Sequence, residues 1–183
     1  AIVCSAQRRE GLLVNVETGC FIDGKHAYWS DTKNLGYHEV CTWNGALMWG
    51  RAVGDDVIIR KMKERFDSFL ANNKENIPAK NHVDFNMFGS LPLSLYASFP
   101  SEENYKTMGL SYADSQWELP AKAKESEKRL ARQGYTWQTR MWIDDMYMIT
   151  FLQTQAYRIT GEKRFVERAA KEMALYLSKL QIA

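Results

Sequence analysis

Apolar positions recur at helical spacing from Tyr37 onward. Val40, Trp43, Leu47, Gly50 and Val53 fall on one stripe, which predicts a helix stopped by Gly54. Asp55 or Asp56 starts a second helix bearing Val57, Ile58, Met62, Phe66, Phe69 and Leu70, and Asn72-Asn73 ends it. A third helix is predicted over residues 85–97, kinked at Pro92 because an interior proline removes a backbone hydrogen bond. Ser101 is the expected cap of a fourth, which carries acids in its first turn and reaches about Trp117. Residues 120–134 read as a charged insertion, either loop or exposed helix. A fifth helix spans 145–158 and is broken at Thr160-Gly161. A sixth spans 162–180 with Phe165, Ala169, Met173, Tyr176, Leu177 and Leu180 on its apolar face.

Residues 1–36 look different. Gly11, Gly19, Gly24 and Gly36 interrupt them, and the apolar pieces 12–16 and 21–22 read as brief strands or extended segments. The later helices pair into three hairpins beginning near Tyr37, Phe85 and Asp145. Their period exceeds that of short helical repeats. With irregular insertions between hairpins, it favours a closed toroid over a plain solenoid. The expected organisation is an irregular arm over 1–36 and an all-α domain over 37–183.

The 183 residues are 45% apolar and 13% aromatic, enough for a sizeable core. Net charge is only +2, from 24 basic and 22 acidic residues, which points to neither a nucleic-acid nor a membrane partner. Charges of both signs interleave between Lys122 and Arg132, as on a solvated face. Cys4, Cys20 and Cys41 are widely spaced, and so are His26, His38 and His82, so no metal site is expected. Small residues in segment 1–7 read as the tail of a cleaved secretion signal. That leans the compartment towards a bacterial periplasm over cytoplasm.

The candidate chemistry lies at helix starts. Residues 140–148, RMWIDDMYM, set Asp144 and Asp145 among indole, phenol and thioether groups. Apolar surroundings raise a carboxyl pKa, and a carboxylic acid that keeps its proton is a general acid. The plainer alternative is that Asp144 caps the helix beginning at Asp145, and that Asp84 caps another. Each odd-numbered helix opens with polar groups beside aromatics. The first has Glu39, Trp43 and Asn44, the third His82, Asp84 and Asn86, and the fifth Trp142, Asp144 and Asp145. In a toroid of hairpins these starts ring one mouth, which brings Asp84 and Asp144 together. Paired carboxylates are the usual equipment for cleaving a sugar bond. Asp145 lies about 100° round the helix from Asp144, so only one of them faces a cavity.

Three segments carry a resemblance: YHEVCTWNGAL (37–47), HVDFNMFGSLPLSLY (82–96) and WIDDMYM (142–148). They resemble the unsaturated uronyl hydrolases, namely the unsaturated rhamnogalacturonyl hydrolases of glycoside hydrolase family 105 and the related unsaturated glucuronyl hydrolases of family 88. The resemblance implies an (α/α)6 toroid, of which this chain would hold about the first three hairpins. It implies removal of a 4,5-unsaturated uronic acid from the non-reducing end of lyase-generated oligosaccharides. By resemblance Asp144 matches the general acid/base and Asp84 the second essential carboxylate. Trp142, Trp43, Asn44, His82 and Tyr147 match substrate-binding positions. No cofactor is implied. The later tryptophan-rich family motif lies beyond Ala183, so a second, C-terminal half or a second copy is the implied partner. A non-catalytic helical scaffold and another (α/α)6 carbohydrate-active enzyme are the alternatives.

Overall fold

The computed structural model describes residues 35–181. The signal-like start and the arm, apart from Leu35 and Gly36, lie outside the described residues. Among the described residues every regular element is a helix, as expected for the all-α class. The chain divides after Pro78 into two compact units.

The first unit is a hairpin of α1 (Tyr37–Val53) and α2 (Asp56–Asn72), followed by a 3-10 turn, Lys74–Asn76. Gly54 joins the helices at φ 70°, a conformation that side chains with a Cβ disfavour. Asp55 then caps α2, its Oδ1 accepting from the amides of Val57 at 3.0 Å and Ile58 at 3.1 Å. Val40, Trp43, Leu47 and Gly50 of α1 and Ile58, Ile59, Met62, Phe66 and Phe69 of α2 are buried. Val53 and Val57, expected on those stripes, are more than half exposed beside the turn.

The second unit begins with α3 (Val83–Asn86), a 3-10 turn (Met87–Gly89) and α4 (Ser90–Tyr96). These replace the single kinked helix expected there. The tightening precedes Pro92, whose nitrogen cannot donate to the carbonyl four residues back. Then follow α5 (Glu103–Ser115), α6 (Glu125–Arg132), α7 (Ile143–Thr160) and α8 (Lys163–Leu180). Glu102, not Ser101, stands at the start of α5 and makes no side-chain cap bond. Helix α6 buries nothing, in keeping with its interleaved charges.

Two hairpins make this unit. Segment 83–96 packs on α5, and α7 packs on α8 across Gly161 at φ 71°. The first pair crosses backbone to backbone. A Cβ on Gly109 would lie 2.8 Å from the Gly89 carbonyl oxygen, and one on Gly89 would overlap the Tyr112 side chain. On α8 only Phe165, Ala169, Glu172 and Tyr176 are buried. Met173, Leu177 and Leu180, expected on the same face, are exposed. The covered strip of α8 is narrower than its apolar pattern.

Candidate active site

Arg140 is the hub of the polar groups in the second unit. Its Nε donates to Asp145 Oδ2 at 3.0 Å and its NH2 to Asp145 Oδ1 at 2.5 Å. The same NH2 reaches Asp84 Oδ1 at 3.1 Å, and NH1 lies 2.9 Å from His82 Nε2. Residues from the start of α3 and the start of α7 therefore meet on one guanidinium. Its hydrogen bonds to Asp145, reinforced by the charges of Asp84 and Asp144, raise its pKa above the ordinary arginine value. Asp145 is wholly buried, whereas the Asp84 side chain is 29% exposed.

Buried side chains hold the segment that carries Arg140. The amide of Thr136 donates to Glu172 Oε1 at 2.6 Å, and the Thr136 hydroxyl donates to the Gln116 carbonyl. Trp137 Nε1 donates to the Ser115 carbonyl at 3.0 Å. Gln138 Nε2 donates to Asn86 Oδ1 at 3.2 Å, and Asn86 Nδ2 donates to the Tyr112 carbonyl and Ser115 Oγ. Gln153 of α7 adds bonds to the Ala113 carbonyl and Gln116 Oε1. Buried polar groups need partners; here they tie residues 136–138 to α3, α5 and α8. Burial pushes the Glu172 carboxyl up to about 7, against the opposing pull of its Thr136 and Thr139 bonds and of Lys171.

Met141 follows at φ 64°, the one non-glycine residue with positive φ among the described residues. A left-handed residue costs about 1 kcal/mol. The turn sends the chain into α7, with Trp142 at the N-cap position and no side-chain cap. Asp144 therefore does not cap the helix. It sits in the first turn together with Asp145, where the helix dipole favours carboxylates. Asp84 is no cap either, since His82 holds that place on α3.

His82 touches both parts of this cluster. Its Nδ1 accepts from the Asp84 amide at 3.3 Å and lies 3.5 Å from Asp84 Oδ2, while Nε2 lies 2.9 Å from Arg140 NH1. Asp84 is thus held by Arg140 through its carboxylate and by His82 through its backbone amide.

Asp144 differs from its neighbour. It is exposed and makes no hydrogen bond among the described residues, although its charge acts on Arg140. Among the described residues, the indole and phenol expected to enclose it stand exposed instead. Trp142 is 62% exposed, with the Arg140 guanidinium 4.9 Å from its ring. Tyr147 lies three residues after Asp144, on the same helix face, and is 47% exposed. Phe85 is also exposed, 5.6 Å from the His82 ring. Aromatic surfaces, an open carboxylate and a donor-bound carboxylate thus surround Arg140. Trp43 and Asn44 belong to the first unit and are buried there.

Sequence reading missed Arg140 as a functional group, assigned no role to Glu172, Gln138 or Gln153, and placed Asn86 only among the polar groups at the start of the third helix. Arg140 had one visible signal: it is the only arginine between Arg132 and Arg158, two residues before the Trp-x-Asp turn. The family model described as Glycosyl Hydrolase Family 88 matches residues 14–183. No curated protein and no solved structure matches the chain.

Proposed function

The chain belongs to glycosyl hydrolase family 88, and from that premise we propose that it removes a 4,5-unsaturated uronic acid from the non-reducing end of oligosaccharides left by polysaccharide lyases. It is thus an all-α glycoside hydrolase of the helical toroid class. The rhamnogalacturonan-derived fragments of the family 105 resemblance are the first substrates to offer. The observation that carries the reading is the meeting of Asp84 with the Asp144–Asp145 start of α7 around Arg140, beside exposed Trp142 and Tyr147.

In the proposed reaction Asp144 is the general acid/base. Its carboxyl proton passes to C4 of the ring's enol ether, and the cation that develops at C5 is stabilised by the ring oxygen. Water adds at C5 and gives its proton back to the Asp144 carboxylate. The hemiketal so formed opens, and the aglycone sugar leaves with a hydroxyl. Asp144 suits this role because it makes no hydrogen bond among the described residues; Asp145 does not, because Arg140 takes both its oxygens. Asp84, fixed by Arg140 and His82, orients the ring and balances developing positive charge. Trp142, with Tyr147 on the Asp144 face of α7, offers aromatic surface to the sugar.

The test is the chain incubated with an unsaturated uronyl disaccharide from lyase-treated rhamnogalacturonan, beside one from a glycosaminoglycan. Hydration of the double bond removes its ultraviolet absorbance. Loss of absorbance dependent on Asp144 supports the reading. Absorbance left intact while a saturated glycoside is cleaved would replace it with another glycosidase activity.

A further inference from the structure

Glu172 takes no part in the chemistry above, yet it is wholly buried on α8. Its Oε1 accepts from the Thr136 amide at 2.6 Å, and its Oε2 lies 3.1 Å from Thr139 Oγ1. Thr139 Oγ1 also donates to the Thr136 carbonyl at 2.9 Å. Residues 136–139 thus form a turn closed upon itself and locked from α8. The next residue is Arg140, and Met141 and Trp142 follow. The contacts from α3 and α5 hold the other side of this segment. Glu172 is the side chain that reaches it from α8 through two polar atoms.

The hydrogen count favours a neutral acid. A hydroxyl has one hydrogen. If Thr139 gives it to the Thr136 carbonyl, its oxygen must accept from Glu172. A protonated Oε2 does so while Oε1 accepts the Thr136 amide, so all three contacts are made at once. A glutamine reproduces that set with its carbonyl and its amide hydrogens. Resting on the function proposed above, we propose that Glu172 is a positioning residue, which fixes the 136–139 turn so that Arg140 and Trp142 stand correctly at the start of α7.

The test compares the full chain with Glu172→Gln and Glu172→Met. Methionine fills the volume and leaves no buried charge, but it strands the buried Thr136 amide. Three readouts are taken: thermal melting, hydrogen exchange at the Thr136 amide, and kcat and KM on the unsaturated disaccharide. Glu172→Gln should keep wild-type protection and kcat within about threefold. Glu172→Met should melt a few degrees lower yet stay folded at the assay temperature, lose about tenfold or more of the Thr136 protection beyond that of other core amides, and lose kcat by a similar factor. Unchanged Thr136 protection in Glu172→Met overturns the lock. Lost protection with unchanged kcat overturns the positioning role. If no variant, wild type included, acts on the disaccharide, the functional reading and the positioning role built on it both fail, and Thr136 exchange alone decides the lock.

Discussion

Arg140 and Asp145 meet through two parallel hydrogen bonds, at 3.0 and 2.5 Å, with the carboxylate fully buried and the guanidinium about a third exposed. The arrangement is asymmetric. Arginine can turn part of its charge to water and to Asp84, but Asp145 has no such outlet. The pair therefore fixes the start of α7 to the segment before it, and through Asp84 to the start of α3.

Removing the arginine should hurt more than removing the carboxylate charge. Arg140→Met leaves Asp145 buried and unpaired, which costs about 3–5 kcal/mol. Asp145→Asn keeps a hydrogen-bonding oxygen and should cost about 1–3 kcal/mol. Arg140→Lys cannot rebuild the planar fork and should fall between them. Chemical denaturation of the three variants checks the order; a harmless Arg140→Met would mean the pair does not hold the site.

The crossing of Gly89 and Gly109 leaves no room for a methyl group. Either Gly→Ala substitution forces the Tyr112 or Leu93 side chain aside, and overpacking of this kind costs about 1–3 kcal/mol or more. Gly45 is an internal control. It is helical, exposed and meets nothing within 4 Å, so Gly45→Ala should stabilise by about 0.5–1 kcal/mol through propensity alone. Opposite signs in urea midpoints are the expected result.

What the sequence reveals depends on the range of the interaction. Helix boundaries at Gly54, Asp55 and Gly161 are local chemistry, and they were legible. Ser101 was not a cap because the chain turns one residue later, at Glu102. The periodicity of α8 named the residues sharing a face. It could not say that Met173, Leu177 and Leu180 lie past the edge of the covered strip. In the site, Asp84 and the Asp144–Asp145 pair were legible from their places at helix starts. Arg140 was not, because its partners Asp84 and His82 lie 56 and 58 residues away. Glu172 was hidden likewise: Thr136 is 36 residues off, and a glutamate on a helix otherwise rich in exposed charge gives no sign of burial.

Stability should fall as pH rises from about 4.5 to 7. Burial lifts both Glu39 and Glu172 from 4.5 to about 7. Between those values the folded chain holds protons that the unfolded chain has released. The stabilisation is complete below pH 4.5, declines through the interval and is gone above 7. At about 1.4 kcal/mol per unit, each group contributes at most about 3.5 kcal/mol across the interval. Glu39→Gln and Glu172→Gln should each flatten part of it in denaturation at pH 5 and 8. A wild-type slope retained in both variants would show that neither carboxyl keeps its proton in the fold.

Asp144 and Asp145 are adjacent, but they should fail in opposite ways. Asp144 is exposed and makes no hydrogen bond among the described residues. Asp144→Asn should therefore leave melting within a degree or two of wild type. If Asp144 delivers the proton to C4, asparagine cannot, and turnover of an unsaturated disaccharide should drop by about 10²-fold or more. Asp145→Asn gives up half of a buried ion pair, so its primary loss is stability. Any loss of turnover should come from displaced Arg140 and be partly recovered on cooling, where the folded population returns. Melting and turnover measured on both variants separate a reacting carboxylate from a structural one. Full activity in Asp144→Asn would remove it from the mechanism. An Asp145→Asn protein that stays folded but inactive would transfer the acid role to the buried neighbour, and would require Arg140 to release it during the reaction.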